Sequence, residues 1–192
     1  MKKVMVVFSA VTIVLWACNN DAKDSVEKAD SANKAKIDSP ETTSQPIKVD
    51  EESASFMVKA ADGGMTEVQL GQMAQNKAVD AKVKNFASMM VQDHSAANEQ
   101  VKGLARQRNV TLPDSASDDN KKKVNDLSKK TGKAFDKAYM DDMVKGHEST
   151  VDLFEKSADK VNDSEVKTFI NNMLPKIKMH LDSARAIRKS LK

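Results

Sequence analysis

Residues 80–108 read DAKVKNFASMMVQDHSAANEQVKGLARQR. Wound at 3.6 residues per turn, Phe86, Met90, His94, Ala97, Val101 and Leu104 fall on one face. The spacing predicts an amphipathic helix with Asp80 as its N-cap and an imidazole on its apolar side. Two later stretches repeat the arrangement. His147 falls among Met140, Met143, Val144, Val151 and Phe154, and His180 among Phe169, Met173, Ile177, Ala184 and Ile187. The chain contains 3 histidines, so each is placed midway along a different helix and points towards a shared core.

Working outward, the pattern predicts long helices over 53–77, 80–108, 133–160 and 164–191. Pro113 and the polar stretch 114–120 separate the second from a short helix over 118–130, which Gly132 ends. Asn162, Asp163 and Ser164 supply turn and cap chemistry before the last helix. No segment alternates with a period of two, and no glycine-rich phosphate loop is present. The first and last connections are short enough to make antiparallel hairpins, whereas the middle one, of roughly twenty residues, can cross a bundle. Val83-Lys84-x-Phe86-x-x-x-Met90 recurs as Val166-Lys167-x-Phe169-x-x-x-Met173 in the second helix of each hairpin. The expected fold is all-α: a ferritin-like four-helix bundle of two antiparallel hairpins, joined by a longer connection that carries a short extra helix. Residues 52–192 form this one domain, large enough for a proper core.

The chain opens Met1-Lys2-Lys3, continues with an apolar run from Val4 to Trp16, and reaches Ala17 and Cys18. A basic start and about a dozen apolar residues are the pattern of a secretory signal peptide, too short for a membrane-spanning helix. Leu15-Trp16-Ala17-Cys18 resembles the bacterial lipobox, although Trp16 is bulkier than usual there; an uncleaved anchor is the alternative. The resemblance implies removal of 1–17, lipidation at Cys18, a membrane as partner, and a place in the bacterial cell envelope, at the outer membrane. Cys18 is the only cysteine, which excludes an intrachain disulfide and a thiolate metal site. Residues 18–51, rich in Ala, Ser, Asp and Lys and poor in large apolar side chains, are expected to be a flexible tether. Loss of Lys2 and Lys3 leaves a nearly neutral mature chain, so no nucleic-acid partner is expected. Nothing in the sequence names a protein partner or an oligomeric state.

Midpoints of helices of similar length lie at one level of a bundle, and His94, His147 and His180 are each within a turn of theirs. On the first helix the corresponding ionisable residue is Glu67, with Ala60, Gly63, Gly64, Gly71 and Ala74 as small neighbours that permit close approach. One carboxylate and three imidazoles in a central layer suit one ion of zinc, iron or copper, and not calcium or magnesium. A metal-free network and three unrelated core histidines are the alternatives. Met89, Met90, Met143, Met173 and Met179 lie near the same level, where thioethers would suit copper but equally fill a core. Asp93, adjacent to His94, points about 100° away on a helix and is better placed to orient a neighbouring group. Pro175 falls inside the last helix and removes one of its hydrogen bonds.

Three motifs carry a family resemblance: Glu67-Val68-x-Leu70-Gly71-x-Met73-Ala74; Val83-Lys84-x-Phe86-Ala87-x-x-Met90-Val91-x-Asp93-His94; and Phe135-Asp136-x-x-Tyr139-x-x-x-Met143-Val144-x-x-His147. In order and spacing they resemble the bacterial domain of unknown function 4142 family, over roughly residues 52–190. The resemblance implies a ferritin-like bundle in exported proteins with no assigned biochemistry, and carries over to Glu67, Asp93, His94, Asp136 and His147. Ferritin-type di-iron sites use Glu-x-x-His, but Val91, Val144 and Ile177 stand three residues before the histidines here. No nucleophile–base arrangement is legible either, and no catalytic residue is assigned. Two functions are left: a metal-binding envelope lipoprotein, or a structural or partner-binding one whose histidines form a core polar network.

Overall fold

A computed structural model describes residues 23–39 and 49–191. Among them are six helices and no strand: α1 (Ser25–Ile37), α2 (Glu51–Lys77), α3 (Ala81–Gln107), α4 (Asp118–Ser128), α5 (Gly132–Lys160) and α6 (Ser164–Ser190). Side chains of Asp24, Asp50, Asp80, Ser117 and Asp163 accept first-turn backbone N–H groups, which the start of a helix otherwise leaves without partners. Pro175 is accommodated within a continuous α6. Gly132, with φ of 57°, takes the left-handed conformation that reverses the chain between α4 and α5.

The helix ends fix the topology. At one end of the bundle the backbone N–H groups of Val79 and Asp80 donate to Asp136 at 3.0 and 2.8 Å, placing the α2–α3 turn on the first turn of α5. Lys77 reaches the Ser128 carbonyl beside it. At the other end the Arg108 guanidinium forks onto Asp163 at 2.6 and 2.7 Å, tying the end of α3 to the start of α6. With α2 packed on α3 and α5, and α6 on α5 and α3, every neighbouring pair is antiparallel. The connection from α3 to α5 therefore runs the length of the bundle, and α4 packs against α2 and α5 on the way. This is the ferritin-like bundle that the loop lengths predict.

One expectation differs. Ser25–Ile37, read as part of a flexible tether, forms a helix packed on α2. Counting large apolar residues misses it because polar side chains hold it. Asn33 donates to the Thr111 carbonyl at 2.8 Å and accepts from the Thr111 N–H at 2.7 Å, while Ser25 donates to Asp114 at 2.7 Å. The expected leader 1–17 and Cys18 lie outside the described residues. No described helix is long and apolar enough to cross a membrane.

The core comes in two parts. Phe56, Met57, Val101, Phe154, Phe169 and Ile177 belong to one apolar cluster, and Leu70, Phe86, Met90, Tyr139, Met140 and Met143 to the other. In the gap between them falls one polar residue from each long helix: Glu67, His94, His147 and His180. Gly71 lets α2 and α3 close: a Cβ there would sit 2.8 Å from Val91 Cγ2 and 3.2 Å from the Ala87 carbonyl oxygen. A Cβ at Gly103 would meet nothing within 4 Å among the described residues. Thermal denaturation should accordingly show Gly71→Val destabilised by about 2 kcal/mol from overpacking and Gly103→Ala stabilised by up to about 1 kcal/mol from helix propensity. Equal melting temperatures for the two variants would contradict this account of α2–α3 packing.

Candidate metal centre

His94 on α3, His147 on α5 and His180 on α6 converge because each occupies the buried stripe of its helix at the level where the two apolar clusters part. They are 8%, 1% and 0% exposed. Their ring centroids are 5.6, 5.6 and 5.5 Å apart, close to an equilateral triangle. Each ring offers a nitrogen within 4.8 Å of the others'. A point equidistant from three atoms at that spacing is within about 2.8 Å of each, so shifts of under about 1 Å would give metal–imidazole bonds of about 2.0–2.1 Å.

Hydrogen bonds to two of the rings set which nitrogen is free. His147 Nδ1 is 2.9 Å from the Met143 carbonyl, which can only accept, so Nδ1 carries the proton and Nε2 keeps its lone pair. His180 Nε2 donates to Asp93 Oδ2 at 2.9 Å, leaving Nδ1 free. Asp93 also accepts from Lys176 at 3.0 Å. Burial works to raise the Asp93 carboxyl, but the bonds from His180 and Lys176 outweigh it and hold it below its ordinary range. Asp93 thus orients the His180 ring on the neighbouring helix, an arrangement of carboxylate and imidazole that is also common behind metal-binding histidines.

Burial removes the imidazoles' affinity for protons. It pulls His94 down to about 3, helped by repulsion from His147 and His180, and His147 down to about 4. His180 is lowered too, by burial opposed by Asp93. All three are neutral at physiological pH, the form that binds metal. His94 Nε2, His147 Nε2 and His180 Nδ1 have no hydrogen-bond partner among the described residues, and neither do Glu67 Oε2 and the Tyr139 hydroxyl.

Glu67 lies outside the group of three. Its Oε1 is 3.9 Å from His147 Nδ1, the nitrogen already engaged by Met143. Burial pushes the Glu67 carboxyl up to about 8, with Lys123 lowering and Asp142 raising it more weakly, so Glu67 faces a neutral His147 as a neutral acid and not as an ion-pair partner. Of the methionines near this level, Met90 and Met143 are buried in the core, Met89 and Met173 pack at its edge, and Met179 is exposed. Asp136 serves the α2–α3 turn, away from the histidines. Sequence reasoning passes over Gly146, where a Cβ would lie 2.9 Å from Glu67 Oε1. A glycine deep inside a helix costs about 1 kcal/mol and so signals a packing demand, which here is room for that carboxyl.

The sequence matches the family described as "Domain of unknown function (DUF4142)" over residues 38–187. The chain belongs to this family. No functionally curated protein matches it. Among solved structures it is similar to a DUF305 fragment from Deinococcus radiodurans, with a TM-score of 0.68 at 10% identity, covering 75% of this chain and 99% of that one. It is also similar to a structure titled "CopM in the Cu(I)-bound form", with a TM-score of 0.62 at 14% identity, covering 72% of this chain and 96% of that one. At these identities the likeness concerns the fold.

Protonation of this layer gives the metal-free protein a particular pH profile. From their ordinary value of 6.5 down to about 4, imidazoles of the unfolded chain take up protons that the folded ones refuse, so stability falls as pH falls through that window. Glu67 acts in the opposite sense. Its folded value is raised from 4.5 to about 8, so the stability it contributes is present below 4.5 and lost as pH rises towards 8. Melting temperature in chelator should peak near pH 6.5, and Glu67→Gln should flatten the alkaline limb while leaving the acid limb. A flat profile in the wild type would contradict the neutral layer.

Proposed function

We propose that this protein is a lipid-anchored bacterial envelope protein that binds one transition-metal ion through His94, His147 and His180. The observation that carries the reading is the set of three buried neutral imidazoles, each with an unpartnered nitrogen, all within 4.8 Å of one another. Unpaired buried polar atoms cost folding free energy, and concentrating several in one layer without a ligand is a heavy cost. A metal-free network would need acceptors and donors for these same atoms, and the described residues supply none. Three nitrogen donors without a thiolate suit copper, zinc or iron and leave a coordination position open. The copper-bound state named for one protein of similar fold is in keeping with this reading. Holding one ion for buffering, delivery or slow redox exchange is the work such a site can do; no catalytic residue is needed for it.

The anchor rests on Cys18 and the lipobox-like segment before it. Radiolabelled palmitate should be incorporated by the wild type in a bacterial host and not by Cys18→Ser. For the metal, untagged protein desalted after exposure to Cu²⁺, Zn²⁺ or Fe²⁺ should retain one equivalent of at least one of them, with a rise in melting temperature on loading. The His94→Ala/His147→Ala double variant should bind that metal at least about 100-fold more weakly, since two of three strong donors are gone. Equal binding by the two proteins would overturn the metal site.

A further inference from the structure

Beside the imidazole layer, on the side of the Phe56–Phe154–Phe169 cluster, a cavity of about 50 Å³ reaches from the surface to His94 and Glu67. Its deep walls are apolar, including Ala97, Val101 and Phe154, but Glu67, His94, Asn98 and Thr150 also face it. Two of these polar residues, Glu67 and His94, are nearly fully buried and each carries an atom without a partner, Oε2 and Nε2.

The cavity is built by what α2 lacks. Gly63 and Gly64 line it one turn before Glu67. A Cβ on Gly64 would lie 1.9 Å from Asn98 Oδ1, so the missing side chain gives the Asn98 amide its place. A Cβ on Gly63 would meet nothing within 4 Å among the described residues, which leaves the way in from the half-buried surface at Gly63 and the exposed Lys59 open. Consecutive glycines in the middle of a long helix cost about 2 kcal/mol in propensity, so the space is maintained against an intrinsic preference.

We infer that this cavity is the entry and seat for a small exogenous ligand of two or three heavy atoms at the open coordination position of the metal, with water its resident form. The inference rests on the metal reading above and names what reaches that site. Size sets the ligand class: a water needs about 10–15 Å³ of such space, so the cavity takes a few waters or one small anion and excludes sugars, nucleotides and aromatic rings. Position sets the role. Of the three imidazoles only His94 lines the cavity, which places the cavity on one side of the layer, while Glu67 and Asn98 supply a hydroxyl or carbonyl and an amide to hold a bound molecule by hydrogen bonds. Lys59 at the mouth favours an anion over a cation.

The test uses Cu²⁺-loaded full-length protein and azide as the probe. Azide should give a saturable ligand-to-copper absorption band, and electron-nuclear double resonance in D₂O should show, besides the imidazole N–H deuterons, exchangeable deuterons coupled to the copper that disappear when azide binds. Gly63→Leu, whose added carbons enter open space, should keep one copper per chain but bind azide about tenfold more weakly or worse, because a side chain must be displaced from the path. Ala60→Leu, on the same wall, should act likewise if Gly63→Leu fails to fold. Failure of the wild type to retain copper overturns this inference, and failure to retain zinc and iron as well overturns the metal site too. Copper retained without an azide band or azide-displaced deuterons, or azide binding undiminished in the folded leucine variants, overturns this inference alone.

Discussion

The whole molecule is arranged around the cost of burying polar nitrogen in an apolar core. Three imidazoles and a carboxyl sit where the core should be driest, and the hydrocarbon on either side is divided into two separate clusters as a result. The protein meets part of that cost locally. Asp93 and the Met143 carbonyl engage one nitrogen each of His180 and His147, and neutrality removes the much larger penalty of buried charge. What is left over is one unpartnered nitrogen on each of three rings that stand side by side.

Holding such a layer together requires that the four long helices keep their relative heights, and the bundle ends do this with charge-assisted bonds instead of apolar packing. Asp136 accepts three backbone hydrogen bonds from the α2–α3 turn, and Arg108 forks onto the residue that also caps α6. Each device ties one hairpin to the other. A slide of one helical residue, about 1.5 Å, would break these bonds and pull the imidazoles out of register. The contacts that fix the site's geometry are therefore some of those farthest from it.

Much of this was legible in the sequence because helical periodicity is a strong signal and because the chain has so few histidines. Phe86, Met90, Ala97 and Val101 define a stripe that leaves His94 nowhere to point but inward, and counting to helix midpoints brings in His147, His180 and Glu67. Asp93 was readable as an orienting group from its angle alone. The layer is less complete than the midpoints imply, since Glu67 stands beside the three imidazoles and not among them; a level on a helix does not specify how far a side chain reaches. α1 was illegible for a different reason. Its hold on the loop after α3 comes from Asn33 and Ser25 pairing with backbone and polar groups nearly eighty or more residues away, and such pairs leave no periodic trace. Gly63 and Gly64 were legible only as small neighbours of Glu67; that they border a cavity, and that Gly146 leaves room for the Glu67 carboxyl, emerged once the neighbours of their missing side chains were known.

The parallel disposition of α3 and α5, forced by the crossover, has a kinetic side. Neither hairpin owns the site: the first brings Glu67 and His94, the second His147 and His180, and the bond from His180 to Asp93 joins residues 87 apart in sequence. Each hairpin can form from local contacts quickly, but the triangle of nitrogens comes into being only when the two dock, the step with the largest loop-closure cost. On the proposed reading, affinity for a metal is a property of the finished tertiary structure. An ion that binds there reports that the last event of folding has taken place.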